Sequence, residues 1–427
     1  MPDSSAILNN NNSTMMMTER TPTSIRSTAA PGTVTEQPNR LSRWWMRHHV
    51  HIGLASMGGS AILICIIAVI LLPIVFKNPS KDDPCMDEKN PLIKPPEWNS
   101  KPPSTFDPLC AANATWTSEG ITVAGSSNST DPLSKANLNS PNDILVDFDS
   151  NLLIADSGNN RIACWPATAT VGYIVSGTGS VGSWANLYKH PAAIVVLNDQ
   201  MYVSDLGNYR VVEVPLSTEE SAPDGITVVG HYGAGSAPNQ INSVHYMSID
   251  NVHQLLYLSD NKNNRILQLN LTNYILSLIA GTGQANSNNI SLDHPLGITI
   301  DEMHGLIYVA DSHNHRVQKF NFQSTVGITV AGGIGSGQNL SQLNLPSGVA
   351  IDPFGNVYVA DTGNNRIVQW LVGSQQGRII AGTGTAGASN KELNSPVQLK
   401  FDSHHNLYVV DKNNNRIQRF NLLYNGC

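Results

Sequence analysis

The sequence predicts an all-β protein made of six copies of one four-stranded unit, preceded by a single transmembrane helix. Three observations predict this fold class. Short β-rich runs alternate with turns of Gly, Asn, Asp and Pro, and amphipathic helical patterns are missing. An Asp–Arg pair recurs six times at a nearly constant spacing. One stretch of 25 residues carries no charge.

The 427-residue chain has little charge, with 13% Asp, Glu, Lys and Arg, against about 25% in an average soluble protein. The first 51 residues contribute +2 to the net charge of −7, so the remainder contributes −9. A module of this sign is a poor partner for nucleic acid, because phosphate neutralisation dominates that binding. Residues 1–51 are rich in Asn, Ser and Thr without apolar periodicity, which predicts a disordered cytoplasmic tail.

The uncharged stretch, Ile52–Phe76, predicts the transmembrane helix. A helix of this length exceeds the ~30 Å hydrocarbon core of a bilayer. A cleaved signal peptide is the alternative, but the stretch begins too far from Met1 and is too long for an h-region. Three arginines just before the stretch outnumber two lysines just after it. This bias places the N-terminus in the cytoplasm and residues 77–427 outside.

The residues after the span suit an oxidising compartment that glycosylates proteins. Four of the five cysteines lie there: Cys85, Cys110, Cys164 and Cys427. Five N-glycosylation sequons also lie there, at Asn113, Asn128, Asn270, Asn289 and Asn339. Residues 77–115 are dense in Pro and Lys and predict a semi-rigid extracellular stalk. The repeats then occupy residues 116–427.

Each repeat has the same internal order. The most regular copy begins at Gly348 and reads GVAID, PFG, NVYVA, DTGNN, RIVQW, with GRIIAG following at Gly377. These are four β-rich runs separated by turns. Six such units in tandem predict the blades of a six-bladed β-propeller around a central channel.

The second turn of each unit opens with Asp, and Arg follows five residues later. The pairs are Asp156 and Arg161, Asp205 and Arg210, Asp260 and Arg265, Asp311 and Arg316, Asp361 and Arg366, and Asp411 and Arg416. Asp at a turn accepts hydrogen bonds from the amides that follow it. We interpret the pairs as structural, because an active site needs a residue once rather than in every blade.

The GITVAG strands are out of step with the Asp–Arg units. The first copy, Gly120–Gly125, precedes every unit, and no copy follows the last unit. A blade with three strands would expose an edge and open the ring. We therefore predict that Ile121–Ala124 supplies the fourth strand of the final blade, beside Arg416–Phe420.

This closure brings the last cysteine close to the first strand. It predicts a Cys110–Cys427 disulfide, while Cys85 either pairs with Cys164 or both remain free.

The pattern P-x-G-[IVL]-x-[IVL]-D, followed by Y-V-[AS]-D-[ST]-x-N-[NH]-R-[IV], resembles the NHL repeat. Leu345–Trp370 and His294–Phe320 match it most closely. The resemblance extends from about Gly120 to the C-terminus. The second copy departs from it with DLGNYR at Asp205, and the third, SVHYMSID from Ser243, lacks the Pro.

One branch of this family is the peptidyl-hydroxyglycine amidating lyase, a zinc enzyme. The resemblance implies that its three His ligands each follow the Pro that opens a blade. The corresponding positions here are Asn142, Ala192, His245, Leu296, Ser347 and Val397. One imidazole cannot form a three-ligand zinc site, so an extracellular hydrolase or lyase is the alternative rather than the preferred function. We expect no catalytic residue, metal or other cofactor.

Other uses of the family fit less well. RNA-binding members carry RING and B-box modules, whose Cys-x-x-Cys pairs do not occur in this sequence. Receptor kinases with such ectodomains need a kinase, and 51 residues precede the span. Lactone-hydrolysing propellers of other families hold calcium, but no ring of carboxylates marks the blade openings. A recognition, adhesion or scaffold module remains, placed in the plasma membrane or another secretory-pathway membrane.

The six blade-opening residues given above differ from copy to copy, whereas the turns are constant. Constant turns with a variable channel mouth are typical of a scaffold that carries a binding site. The expected ligand is an extracellular protein, peptide or glycan. Drift in exposed loops would give the same contrast and is the alternative.

Protease added to intact cells is expected to remove the repeats and leave residues 1–47 intact, because the span separates the two. Antibodies against tags at the two termini would follow each part on a gel. A repeat region that resists protease until the cells are permeabilised would contradict this topology.

Overall fold

The computed structural model describes residues 113–126, 136–216 and 225–426, which belong to one compact unit, Lys77–Cys427. The predicted tail, span and nearly all of the stalk lie outside the described residues. No helix among the described residues is long and apolar enough to cross a membrane. These residues form 26 β-strands and six 3-10 turns, which confirms the all-β, six-bladed propeller.

Two short strands come first, β1 (Thr115–Trp116) and β2 (Ile121–Gly125). Blade 1 consists of β3 (Asp143–Val146), β4 (Leu152–Asp156), β5 (Arg161–Trp165) and β6 (Tyr173–Ser176). Blade 2 consists of β7 (Pro191–Leu197), β8 (Gln200–Asp205), β9 (Arg210–Pro215) and β10 (Ile226–Val229). Blade 3 consists of β11 (Val244–Asp250), β12 (Leu255–Asp260), β13 (Arg265–Asn270) and β14 (Leu276–Ala280).

Blade 4 consists of β15 (Pro295–Asp301), β16 (Leu306–Asp311), β17 (Arg316–Asn321) and β18 (Ile328–Gly332). Blade 5 consists of β19 (Val349–Ile351), β20 (Val357–Asp361), β21 (Arg366–Trp370) and β22 (Arg378–Ala381). Blade 6 consists of β23 (Pro396–Phe401), β24 (Leu407–Asp411), β25 (Arg416–Phe420) and β2, and β26 (Leu422–Tyr424) is the last strand of the described residues. All strand pairs are antiparallel. The first strands of successive blades contact one another around the channel.

The blades pack face to face, and the core lies between them. The second strand of blade 5, Val357–Asp361, is buried along its whole length because neighbouring blades cover both of its faces. The buried apolar residues form six clusters, one between each pair of neighbouring blades. Each large side chain buried there contributes about 1.5–3 kcal/mol.

The two ends of the repeat region meet in blade 6, as predicted. Strand β2 pairs with β25, with Ile121 opposite Arg419 and Gly125 opposite Arg416. Ala124 packs in the cluster that joins blade 6 to blade 1, together with Trp165 and Tyr408. The ring is therefore closed by hydrogen bonds and by apolar contacts.

A second contact between the chain ends was not predicted. Strand β1 pairs with β26, and the side chain of Trp116 in β1 is buried. Its indole Nε1 donates a hydrogen bond to His405 O at 2.9 Å, and its ring packs 6.1 Å from Tyr358 and 6.0 Å from Phe401. A two-residue strand has no periodicity that a sequence pattern could reveal.

Ala124→Asp is expected to destabilise the full chain by at least ~3 kcal/mol, because it buries a charge between blades 6 and 1. Ile121→Asp is the matched control on the same strand, since Ile121 is 48% exposed, against 3% for Ala124. Urea denaturation followed by tryptophan fluorescence measures both variants. Equal shifts of the midpoint would show that β2 is not docked as described.

Candidate functional site at the channel mouth

One end of the propeller, which we call the turn face, carries both the blade openings and the six 3-10 turns. The Pro that opens a first strand lies opposite the Asp that ends the second strand, as Pro295 opposite Asp311 and Pro396 opposite Asp411. The turns are Ser157–Asn159, Leu206–Asn208, Asn261–Asn263, Ser312–Asn314, Thr362–Asn364 and Lys412–Asn414. The channel mouth on this face is therefore bordered by turns and blade openings together.

Buried hydrogen bonds hold the constant residues of each turn. In blade 5 the Asp361 carboxylate accepts bonds from Asn344 N at 2.7 Å and from Arg366 Nε and Asn364 Nδ2 at 2.8 Å. The Arg366 guanidinium also donates to Gln338 O at 2.7 Å, in the loop that arrives from blade 4. The Asp–Arg distance is 2.7–2.8 Å in all six blades. Removing one partner of a buried ion pair costs about 3–5 kcal/mol. Opening a turn would break such a pair, so these bonds hold the turn face in one conformation.

In five of the six blades, the residue directly after the 3-10 turn links its blade to the next one. Asn365 has a left-handed backbone, φ 51°, and its Oδ1 accepts a bond from Ser395 N at 3.0 Å. In blade 4, His315 Nδ1 accepts the equivalent bond from Leu345 N at 3.1 Å. Tyr209 of blade 2 has the same backbone, φ 55°, but a tyrosine has no acceptor atom so close to its main chain. This is the copy that departs from the repeat pattern.

The predicted mouth residues of the first three blades meet at the channel. Asn142 Nδ2 donates to Ala192 O at 2.8 Å and lies 3.5 Å from His245 O. Four of the six predicted residues are buried, namely Asn142, Ala192, Ser347 and Val397, while His245 and Leu296 are partly exposed. The four buried side chains are covered by neighbouring protein atoms, so they present little surface to a ligand.

The far side of the channel is bridged by a tyrosine. Tyr246 OH of blade 3 lies 3.2 Å from Ser347 Oγ of blade 5 and donates to Val397 O of blade 6 at 2.9 Å. Gly297 approaches blade 5 so closely that a Cβ there would lie within 3 Å of the Ser347 backbone. The channel is narrow at this level, so a large ligand would contact the mouth rather than pass through.

Lys412 is a mouth residue that the sequence analysis did not identify. Its Nζ donates to Asn142 Oδ1 at 3.0 Å, from the turn of blade 6 to the opening of blade 1. The equivalent residues in blades 3 and 5 also bond to the next blade: Asn261 Nδ2 to Pro295 O at 3.1 Å, and Thr362 Oγ1 to Pro396 O at 2.7 Å. The signal that could have revealed this position is the variable residue directly after each constant Asp.

The mouth is locally cationic, although the repeats carry net negative charge. Burial lowers the pKa of Lys412. Burial, with Lys412 and Lys262 nearby, lowers the pKa of His245 to about 4, so this imidazole is neutral at pH 7. Within the described part of the chain, Lys391 is the lysine that forms an ion pair, with Glu119. Neither mouth lysine has a carboxylate partner among these residues.

A buried carboxylate lies beside the mouth and ties three blades together. Asp143 of blade 1 accepts bonds from Ile194 N of blade 2 at 3.0 Å and from Gln398 Nε2 of blade 6 at 3.1 Å. Burial raises the pKa of Asp143. Because these bonds hold the openings of three blades together, we assign Asp143 a positioning role.

Among the described residues, one group of side chains could hold a metal ion, although no metal was expected from the sequence. It consists of Asp293, His294 and His313 on the turn face of blade 4. None of them is a blade-opening position of the kind that binds zinc in the lyase.

The opposite end of the propeller has a cavity of about 520 Å³ between blades 4 and 5. Its lining includes the His304–Asp301 pair, joined at 2.8 Å, and the exposed Phe354 and Val372. No sequence pattern marked this cavity, because its lining comes from separate turns and strands of two blades.

Cys164 is buried in β5 and takes part in a disulfide bond. The predicted Cys110–Cys427 disulfide lies outside the described residues and stays a prediction. Three of the predicted glycosylation sites are exposed, at Asn113, Asn289 and Asn339. Asn270 is partly buried, and Asn128 lies outside the described residues.

Two segments of the chain match the NHL repeat family, residues 292–320 and 343–370, in blades 4 and 5. Over 70 residues the chain is 37% identical to NHL repeat-containing protein 2 of Bos taurus. Over 73 residues it is 38% identical to the protein of the same name in Gallus gallus. These matches cover 15% and 16% of this chain and 10% of each relative, so they span a tenth of the relatives' length.

Solved structures share the fold. A Bacteroides thetaiotaomicron protein of unknown function aligns with a TM-score of 0.56 at 14% identity, over 71% of this chain and 76% of its own. An auxiliary nutrient binding protein from Bacteroides ovatus aligns with 0.55 at 12% identity, over 73% and 78%. A gluconolactonase from Xanthomonas campestris aligns with 0.50 at 12% identity, over 74% and 96%. At these identities the likeness shows the fold alone.

Fold and turns together define the class of protein: a six-bladed β-propeller whose turn face is held by repeated Asp–Arg turns. Two of its blades carry the NHL repeat, and over part of its length the chain is similar to NHL-repeat β-propeller proteins.

His245 should make the stability of the propeller pH-dependent. Its pKa is about 4 in the folded chain, against an ordinary value of 6.5. Between these values the unfolded chain binds a proton that the folded chain does not, so stability falls as the pH drops from 6.5 towards 4. Relative to His245→Asn, wild type should lose about 2 kcal/mol between about pH 7.5 and 4.5, measured by urea denaturation. Equal losses of unfolding free energy in wild type and His245→Asn would contradict the role of His245. They would point to buried carboxylates, which titrate equally in both proteins.

Proposed function

We propose that this chain is a membrane-tethered recognition, adhesion or scaffold module that presents its propeller outside the cell. It binds an extracellular protein, peptide or glycan at the channel mouth of the turn face, through an acidic group of the ligand. The observation that carries the proposal is Lys412. This partly buried ammonium at the mouth has Asn142 Oδ1 as a neutral partner and no carboxylate partner among the described residues.

The chemistry of the mouth favours an anion. An ammonium that is partly removed from water is destabilised unless hydrogen bonds or an opposite charge compensate it. Asn142 satisfies one of three donors of Lys412. Lys262 adds a second positive charge near His245, and His245 itself is neutral. A carboxylate or sulfate of a ligand would accept charge-assisted hydrogen bonds from the remaining donors, which are roughly twice as strong as neutral ones.

The rigidity of the turn face supports a binding role. The repeated Arg side chains hold the turns and incoming loops by donating hydrogen bonds to the Asp carboxylates and to backbone carbonyls, as Arg366 does to Asp361 and to Gln338 O. Side chains placed on such a frame lose little freedom when a ligand binds, which favours affinity. The residue after each constant Asp can then vary between blades without loss of the frame.

The proposed location is the plasma membrane or another secretory-pathway membrane, with a cytoplasmic N-terminus. Ile52–Phe76 and its basic N-terminal flank support the single span. The exposed sequon asparagines, Asn113, Asn289 and Asn339, are accessible to a glycosylating enzyme.

Lys412→Met is expected to weaken ligand binding at least about tenfold, because it removes the charge and keeps the apolar stem. The full chain in mild detergent would be titrated with heparin-derived oligosaccharides and polyglutamate peptides, beside neutral oligosaccharides and peptides of equal length. Acidic ligands should bind and neutral ones should not. Lys319→Met is the matched control, since Lys319 lies beside the cavity at the other end.

Two results would refute the proposed site. One is the absence of binding to every acidic ligand of the panel. The other is equal affinity of wild type and Lys412→Met for a ligand that binds.

A further inference from the structure

Asp293, His294 and His313 bring two imidazoles and one carboxylate together on the turn face of blade 4. Each residue offers one ligand atom, and the three atoms lie within 4.8 Å of one another. His294 Nδ1 lies 2.7 Å and His313 Nδ1 3.6 Å from Asp293 Oδ1. The two rings are stacked, with centroids 4.0 Å apart.

The main chain of all three residues is fixed. Asp293 N donates to the Asp311 carboxylate at 2.7 Å, and His313 N donates to Asp293 O at 3.1 Å. His294 N donates to Asn264 Oδ1 of the preceding blade at 2.9 Å. The two imidazole side chains are 40% and 48% exposed, so they can rotate and an ion can reach them from solvent. A fixed backbone with accessible side chains is a preorganised ligand set.

Blade 6 shows that the fold itself places the side chains at these three positions in contact. Its equivalent residues are Asn394, Ser395 and Asn413. Asn413 Nδ2 lies 3.3 Å from Asn394 Oδ1 and 2.9 Å from Ser395 Oγ. The third position is Gly in blades 1, 2 and 5 and Lys in blade 3. Blade 4 is therefore the copy in which this geometry carries three metal-ligating side chains.

We infer that Asp293, His294 and His313 bind one transition-metal dication, with Zn²⁺ as the best fit. Two imidazole nitrogens and one carboxylate oxygen are ligands that Zn²⁺ takes in open sites. With Zn–N bonds of about 2.0–2.1 Å, tetrahedral donor atoms lie about 3.3 Å apart, which rotation of the two exposed rings can achieve. The fourth position stays open to water or to a donor from a ligand on the turn face.

The site is distinct from the zinc site of the lyase branch. The lyase position in this blade is Leu296, which follows Pro295 and has no ligand atom. The inference also stands apart from the proposed acidic ligand, because Zn²⁺ alone is the probe that tests it.

Isothermal titration of the chelator-treated full chain with Zn²⁺ should show one equivalent bound through this site. The triple variant Asp293→Asn/His294→Ser/His313→Asn copies the residues of blade 6, which keeps the fold, and should lose that equivalent. His313→Asn alone should weaken binding at least about tenfold. His304→Asn, which alters a His–Asp pair at the opposite end, should leave the equivalent unchanged. Co²⁺ should give a visible d–d absorption band in wild type and not in the triple variant.

Superimposable Zn²⁺ titrations of wild type and triple variant would overturn the inference, as would a wild-type chain without stoichiometric binding. Thermal unfolding of each variant in chelator would show that a lost equivalent does not reflect a lost fold.

Discussion

The stability of the closed propeller depends on the hydrogen bonds that join the first strand of the repeat region to its last blade. Each blade can bury its apolar faces only against its neighbours, so an open ring would leave two faces and a strand edge in water. The pairing of β2 with β25 removes that edge. The apolar cluster of Ala124, Trp165 and Tyr408 then joins the last blade to the first. Because closure needs residues from both ends, the six blades are expected to behave as one cooperative unit.

Closure gives the ring its shape, and the repeated turns give one of its ends a rigid surface. The Arg of each turn reaches backbone carbonyls rather than side chains of the incoming loop, as Arg366 reaches Gln338 O and Arg416 reaches Ala388 O. A backbone carbonyl is present whatever residue occupies the loop. This is why the loops and mouth residues of this chain can differ between blades while the frame repeats six times.

The turn face carries positively charged side chains, whereas the module as a whole has a net negative charge. Residues after the tail carry a net charge of −9, yet Lys412 and Lys262 lie at the mouth without a carboxylate partner among the described residues. Net charge governs solubility and long-range attraction, whereas a ligand at the mouth experiences the nearest few groups. The His–Asp group of blade 4 occupies the same face. A single ligand could therefore meet a cationic mouth and a metal-binding edge on one rigid surface.

The sequence by itself determined the blade count, the strand order and the ring closure. The blade count and strand order follow from the regular spacing of Asp361 and its five counterparts. The ring closure follows from the strand Gly120–Gly125, which precedes the first repeat unit and so is free to complete the last one. The sequence also predicted six mouth residues, but it did not show that Asn142, Ala192, Ser347 and Val397 are buried. Only the tertiary structure showed that Lys412 contacts Asn142, that His313 lies beside Asp293 and that Trp116 bonds to His405 O. Such pairs join residues about 20 to 300 positions apart across a ring, and their distance depends on the packing of whole blades rather than on any local pattern.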